Sequence, residues 1–254
     1  MLLSLYVFIL GLCFGSFMNV CIYRLPAGRS IVRPASACPA CETPIRAYDN
    51  IPLLSYLWLR GKCRRCGVRI SVRYPLIELL AGLTALASYF KFGLSFQAGA
   101  SFLFAATLEV ITFIDIDHRI IPDRITLAGI PLFFLAALFI PSVGLFNAAL
   151  GILAGGGSLL LIAWGYSALT GKEGMGGGDI KLLAMIGAFV GWQGVLFTIF
   201  VSSAVGTAVG LAMMLRAKKG MKMALPFGPF LAVGAITYLF FGPELIVLYL
   251  RQFG

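Results

Sequence analysis

The chain has 254 residues, 60% of them apolar and only 12% charged, with a net charge of +10. A soluble domain of this length needs far more polar surface to cover its core, so the composition excludes that class and indicates a polytopic membrane protein. The positive charge alone would also suit a nucleic-acid binder, but it is distributed by membrane topology and needs no nucleic acid to explain it.

The first apolar run, Met1 to Cys21, has no basic segment before it and no small-x-small cleavage site, and Arg24 follows it closely. It reads as an uncleaved first span. Further uncharged stretches, each matched to a hydrocarbon core of roughly 30 Å, complete an all-α fold of about eight transmembrane helices. They are expected near residues 2–22, 76–93, 95–114, 124–141, 145–169, 180–191, 193–215 and 226–249.

Ten Lys/Arg lie in residues 24–73, and Arg119, Arg124, Lys172, Lys181, Arg216, Lys218, Lys219 and Lys222 follow in alternate loops. Only Lys91 and Arg251 fall on the opposite side, where the turns Gly93-Leu94 and Gly191-Trp192 are almost bare. The positive-inside rule therefore places the amino terminus outside and the 24–73 segment in the cytoplasm.

That segment is a polar insert between the first and second spans. It carries Cys38-Pro-Ala-Cys41 and Cys63-Arg-Arg-Cys66, with 21 residues between the pairs. Two such turns present four sulfurs to one tetrahedral ion, so Cys38, Cys41, Cys63 and Cys66 are expected to bind zinc in a structural role. A redox pair is the rival, and a reducing cytoplasm disfavours it. The insert has too few large apolar side chains to fold without metal. Cys13 and Cys21 read as small apolar filler. Arg60, Lys62, Arg64, Arg65, Arg69 and Arg73 form a basic rim suited to anionic lipid.

Two acidic residues stand where spans meet the cytoplasm. Asp115 closes the run ending at Ile114, and Asp179 closes the loop Gly174-Met-Gly-Gly-Gly-Asp179. An ionisable group at a hydrocarbon boundary marks a functional site by default. On a continuing helix Asp115 and Asp117 point about 200° apart, so only one of them faces the bundle interior. Asp123, after Pro122, reads as an anion at a helix start. The glycines Gly176, Gly177 and Gly178 permit positive φ and let an extended peptide approach the main chain; a flexible connector with a capping Asp is the plainer reading. Two carboxylates brought together share a proton, so one activates water while the other protonates a scissile carbonyl. His118 is the sole histidine, which leaves no Ser-His or Cys-His arrangement. Glu109 is a further ionisable group within a span, with a structural or a site role open to it.

A proton-coupled membrane transporter is the rival from another class, but it calls for carboxylates near the midplane and an internal repeat. A scaffold whose zinc module recruits a partner is the third reading.

Over nearly its whole length the chain resembles the type IV prepilin peptidase family. The resemblance rests on Phe14-Gly-Ser-Phe-Met-Asn19, Arg24-Leu-Pro26, both cysteine pairs, Asn50-Ile-Pro-Leu-Leu-Ser55, Arg60-Gly-Lys-Cys63, Arg73-Tyr-Pro75, the Asp115 segment, Gly176-Gly-Gly-Asp179 and Phe227-Gly-Pro229. It implies an intramembrane aspartic endopeptidase of the bacterial inner membrane, acting at the cytoplasmic face. The enzyme removes the basic leader of type IV prepilins or type II secretion pseudopilins after glycine. It then methylates the new amino terminus with S-adenosylmethionine. Asp115 and Asp179 match the catalytic aspartates, with Asp117 an adjacent competitor; Gly61 and Lys62 match residues associated with methylation. The implied organisation is a first helix (1–22), a cytoplasmic zinc-binding, methyltransferase-associated domain (23–75) and a transmembrane peptidase domain (76–254).

Overall fold

The computed structural model describes residues 1–172, 176–217 and 226–253. Among these residues the regular structure is helical: α1 (Leu2–Arg24), α2 (Leu54–Trp58), α3 (Arg73–Phe92), α4 (Phe96–His118), α5 (Asp123–Ala136), α6 (Gly144–Thr170), α7 (Gly177–Ala217) and α8 (Gly228–Phe253). Extended pairing is limited to isolated bridges in the insert. Six helices, α1, α3, α4, α6, α7 and α8, are long and apolar enough to cross a membrane.

The six long helices differ from the eight expected spans at two places. The stretch expected at 124–141 becomes the 14-residue α5 followed by a 3-10 turn at Ala137–Phe139. At 1.5 Å per residue such a helix reaches about 21 Å, short of the hydrocarbon thickness. The stretches expected at 180–191 and 193–215 both lie on α7, broken only at Gly191, whose φ of 72° and ψ of 178° are closed to other residues.

Contacts divide the chain into two units, Met1–Ala106 and Thr107–Gly254. In the first, α1 packs along α3. A Cβ on Gly11 would lie 2.7 Å from Ala85 Cβ, and one on Gly15 would lie 2.6 Å from Glu78 Cα. Bare backbone allows this approach, which replaces the hydrophobic drive that lipid cannot supply. Buried Asn19 donates from Nδ2 to the Tyr74 carbonyl at 3.1 Å, closing the junction at the start of α3.

In the second unit α7 is packed by α5, α6 and α8. Its first limb is buried almost throughout, with Leu182, Leu183, Met185 and Ile186 fully enclosed. The crossing with α6 is backbone on backbone: a methyl group added to Gly151 would fall on the Gly187 carbonyl, and one added to Gly187 on the Gly151 carbonyl. Gly151→Ala must therefore push the helices apart. The expected cost is about 1–3 kcal/mol, the usual range for overpacking, read as a lower Tm in detergent; an unchanged Tm would mean that this crossing is not close-packed.

Candidate active site and metal centre

The last turn of α4 separates its two acids. Asp115 is 5% exposed, whereas Asp117, on the other side of the helix, is exposed. The helix phase thus turns Asp115, and not Asp117, toward the interior. The helix ends where Arg119 takes a left-handed φ of 55° and its N–H donates to the Asp115 carbonyl at 2.9 Å. His118 is exposed at this end, and Glu109 is buried farther up α4.

Asp179 lies in the first turn of α7 and is half-buried. Gly177 and Gly178 have helical backbone rather than the positive φ expected of them. Gly178 is needed for a different reason: a Cβ there would stand 2.9 Å from Ile121 Cβ, so the missing side chain lets the start of α7 close on the segment after α4. Gly176 leaves space beside Asp179, since a Cβ on it would still be 3.7 Å from Asp179 Oδ2. Gly174 lies outside the described residues.

Asp115 and Asp179 line one open cleft of about 420 Å³, together with Arg119, Ile120, Ile121, Gly176, Gly178, Pro226 and Phe227. Gly228, the first residue of α8, donates its N–H to Asp115 Oδ2 at 3.0 Å. The amino-terminal end of a long helix therefore faces the buried carboxylate. A Cβ on Gly228 would sit 2.7 Å from that oxygen. Phe227-Gly-Pro229 carried the family resemblance, but only the fold assigns Gly228 a contact. A second contact missed in the sequence is the ion pair of Lys181 Nζ with Asp123 Oδ2 at 2.7 Å. Asp123 opens α5, as expected of a helix-start anion, and the pair clasps that helix to the start of α7.

In the insert the four sulfurs of Cys38, Cys41, Cys63 and Cys66 lie within 4.8 Å of one another, and Cys38 Sγ is 3.8 Å from Cys66 Sγ. A tetrahedral zinc with Zn–S near 2.3 Å requires S–S edges of about 3.8 Å, so the donor set fits. Each pair forms the same knuckle. Cys38 N–H donates to the Thr43 carbonyl at 3.0 Å and Cys63 N–H to the Val68 carbonyl at 2.8 Å; Glu42 and Gly67 return N–H bonds to the Cys38 and Cys63 carbonyls. Gly67 takes a φ of 70°, as a tight turn demands, and its counterpart Glu42 takes 54°. The Thr43 hydroxyl, 3.4 Å from Cys41 Sγ, and the Thr43 backbone hold the Cys41 thiol down to about 6. A thiolate is the metal-binding form.

Two members of the basic rim are turned to internal work. Arg64 forks onto Asp49 with contacts of 2.7 to 3.0 Å and holds its carboxyl below the usual range, while Arg65 donates to Thr43 at 3.1 Å. Both tie the second knuckle to the first half of the insert. Arg64 and Arg46 also lie over the Tyr48 ring, at 5.4 and 5.8 Å. Gly61 is buried with φ 66°, and a Cβ there would meet the Tyr56 hydroxyl at 2.9 Å. Lys62 beside it is exposed. Of the remaining cysteines, Cys21 is buried and Cys13 exposed.

Fold and site together define a multi-pass membrane protein with a paired-carboxylate cleft and a separate four-thiol module. Two family models match the chain: the bacterial peptidase A24 N-terminal domain over residues 9–92 and the type IV leader peptidase family over residues 102–211. A prepilin leader peptidase/N-methyltransferase of Stutzerimonas stutzeri is 41% identical, covering 96% of this chain and 92% of the relative. Proteins of the same name from Aeromonas hydrophila and Pseudomonas aeruginosa are each 39% identical over 97% of this chain and 93% of their own lengths. No solved structure matches. The chain belongs to the prepilin leader peptidase/N-methyltransferase family.

Proposed function

We propose that this chain cleaves the leader of type IV prepilins or pseudopilins after glycine and then methylates the new amino terminus. The observation that carries the peptidase reading is the meeting of Asp115 and Asp179, from two different membrane helices, in one cleft. One carboxylate takes a proton from water as the water adds to the scissile carbonyl carbon. The other gives its proton to the carbonyl oxygen; the nitrogen then takes the proton the first carboxylate gained from water, the C–N bond breaks, and the diol returns a proton to the second carboxylate as it becomes the acid. Gly228 N–H orients Asp115 for this work. Gly176, Gly177 and Gly178 present a low rim over which an unwound substrate segment reaches the pair, since a helical peptide bond is already hydrogen-bonded and shielded.

In this reading the protein spans the bacterial inner membrane with its amino terminus outside and the cleft at the cytoplasmic face. Eighteen of the 20 Lys/Arg then lie inside. That topology needs eight passes. The six long helices supply them if α5 crosses as a short seventh and α7 reverses at Gly191. Residues 23–75 form the methyltransferase-associated domain, in which Cys38, Cys41, Cys63 and Cys66 hold a structural zinc and Gly61 and Lys62 support methylation. S-adenosylmethionine, when bound, supplies an electrophilic methyl group to the freed amine. The peptidase domain is residues 76–254.

Gly228→Ala retains the N–H but places a methyl group on the Asp115 carboxylate. Leader cleavage should lose about 10²-fold in kcat, the scale of a misplacement near 1 Å, with KM and Tm little changed; a rise in KM alone would assign Gly228 to binding. The activity itself is tested by co-expressing a prepilin and weighing it intact. The expected product lacks its leader and carries one added methyl group. A pilin that keeps its leader contradicts the reading.

A further inference from the structure

The helix α2 presents an apolar face with no protein cover. Leu54 is 63% exposed, Leu57 70% and Trp58 83%, all on five residues. Exposure of three large apolar side chains on one short helix is unusual for a folded insert and marks an interaction surface. Its electrostatic surroundings are one-sided: residues 50–77 contain six Lys/Arg and no Asp or Glu. Arg64 and Arg65 are engaged within the insert, while Arg60, Lys62 and Arg69 are exposed.

A part-buried contact ties the entry of α2 to α3. Glu78, in the second turn of α3, accepts the Leu53 N–H on Oε2 at 2.9 Å. Leu53 is held there in a γ-turn, with φ 60°, ψ −50° and a Leu54 N–H to Pro52 carbonyl bond of 2.6 Å. So uncommon a backbone persists only where its surroundings dictate it. Glu78 is five residues into α3, about 7.5 Å along the axis from Arg73. The residues leading into α2 are thus pinned beside the second turn of a membrane-length helix instead of standing off in water.

We propose that α2 is a surface anchor that lays Leu54, Leu57 and Trp58 into the headgroup layer of the membrane the chain spans, with Arg60, Lys62 and Arg69 on anionic headgroups. Interfacial helices of this kind combine buried apolar side chains with attraction to anionic lipid, and Trp is favoured at that depth. The anchor fixes the four-cysteine module against the bilayer independently of the carboxylate cleft.

The test uses the full-length protein with Trp164→Phe and Trp192→Phe, leaving Trp58 as its sole tryptophan, reconstituted in phosphatidylglycerol or phosphatidylcholine bilayers. Trp58 emission should be blue-shifted and shielded from aqueous iodide. It should lose most of its intensity to lipid brominated near the headgroup, less to lipid brominated near the chain ends, and less in phosphatidylcholine. In the otherwise unaltered chain, Trp58→Phe should reduce the shallow-quenched intensity, leaving the share of Trp164 and Trp192, which checks the result without the double replacement. Iodide quenching as strong in bilayers as for free tryptophan would overturn the proposal. So would equal lipid quenching in the two bilayers, or shielding that arises only when a prepilin is added, which would make α2 a protein-docking face.

Discussion

Replacing Asp115 or Asp179 with Asn should each lower leader cleavage by at least about 10²–10⁴-fold, the contribution of positioned acid-base groups. Asparagine has nearly the same shape, and its amide oxygen still accepts the Gly228 N–H, so the fold around residue 115 is preserved. What is lost is the capacity to take a proton from water or to deliver one to the carbonyl oxygen. Asp117→Asn is the internal control, because Asp117 is exposed on the same turn and does not line the cleft. Its cleavage rate should stay near that of the parent. Measured on purified protein with matching melting curves, loss of activity in Asp117→Asn but not in Asp115→Asn would place the chemistry on the opposite face of α4 and contradict this assignment.

Stripping the metal, or replacing Cys63 with Ser, should unfold the 23–75 insert and abolish methylation while leader cleavage continues. The magnitudes decide this. Structural zinc contributes about 10–16 kcal/mol to folding in small zinc peptides, whereas whole domains are stable by only about 5–15 kcal/mol. The insert has no strands or long helices of its own among the described residues, and the four clustered sulfurs sit on two knuckles 25 positions apart, Cys38 and Cys63. The polar links between them, Arg64–Asp49 and Arg65–Thr43, with Arg64 also over Tyr48, are side-chain contacts exposed to solvent on at least one partner. Such pairs are worth about 0–1 kcal/mol each. The carboxylate cleft belongs to the Thr107–Gly254 unit and does not depend on them. Zinc content, protease sensitivity of the insert and the mass of the processed pilin check the three parts. A metal-free protein that still methylates would refute the structural role of zinc.

The residues that the fold brings together were legible where their type and spacing stand out. The cysteine pairs needed only their C-x-x-C turns, and the acids stood out because a hydrocarbon boundary tolerates few charges. Helical phase narrowed Asp115 and Asp117 to one inward position, but which one faced inward depends on what packs against α4. Long-range contacts were not legible. Gly228 N–H and Asp115 are 113 residues apart and Lys181 and Asp123 are 58 apart, and no periodicity connects them. The glycines before Asp179 were read through backbone freedom, yet Gly178 is required by the closeness of Ile121. Span boundaries were least legible at the short α5; at Gly191 the non-helical residue falls on the break expected between 180–191 and 193–215, inside one continuous run of helix.

The most direct test of a shared carboxylate pair is a double-mutant comparison under single-turnover conditions, with Asp115→Asn, Asp179→Asn and the combined variant acting on one purified prepilin. Groups that act as one unit are strongly non-additive, so the combined variant should be scarcely slower than either single one. Losses that multiply, or a single variant that cleaves at the parent rate, would show that the two aspartates do not work together.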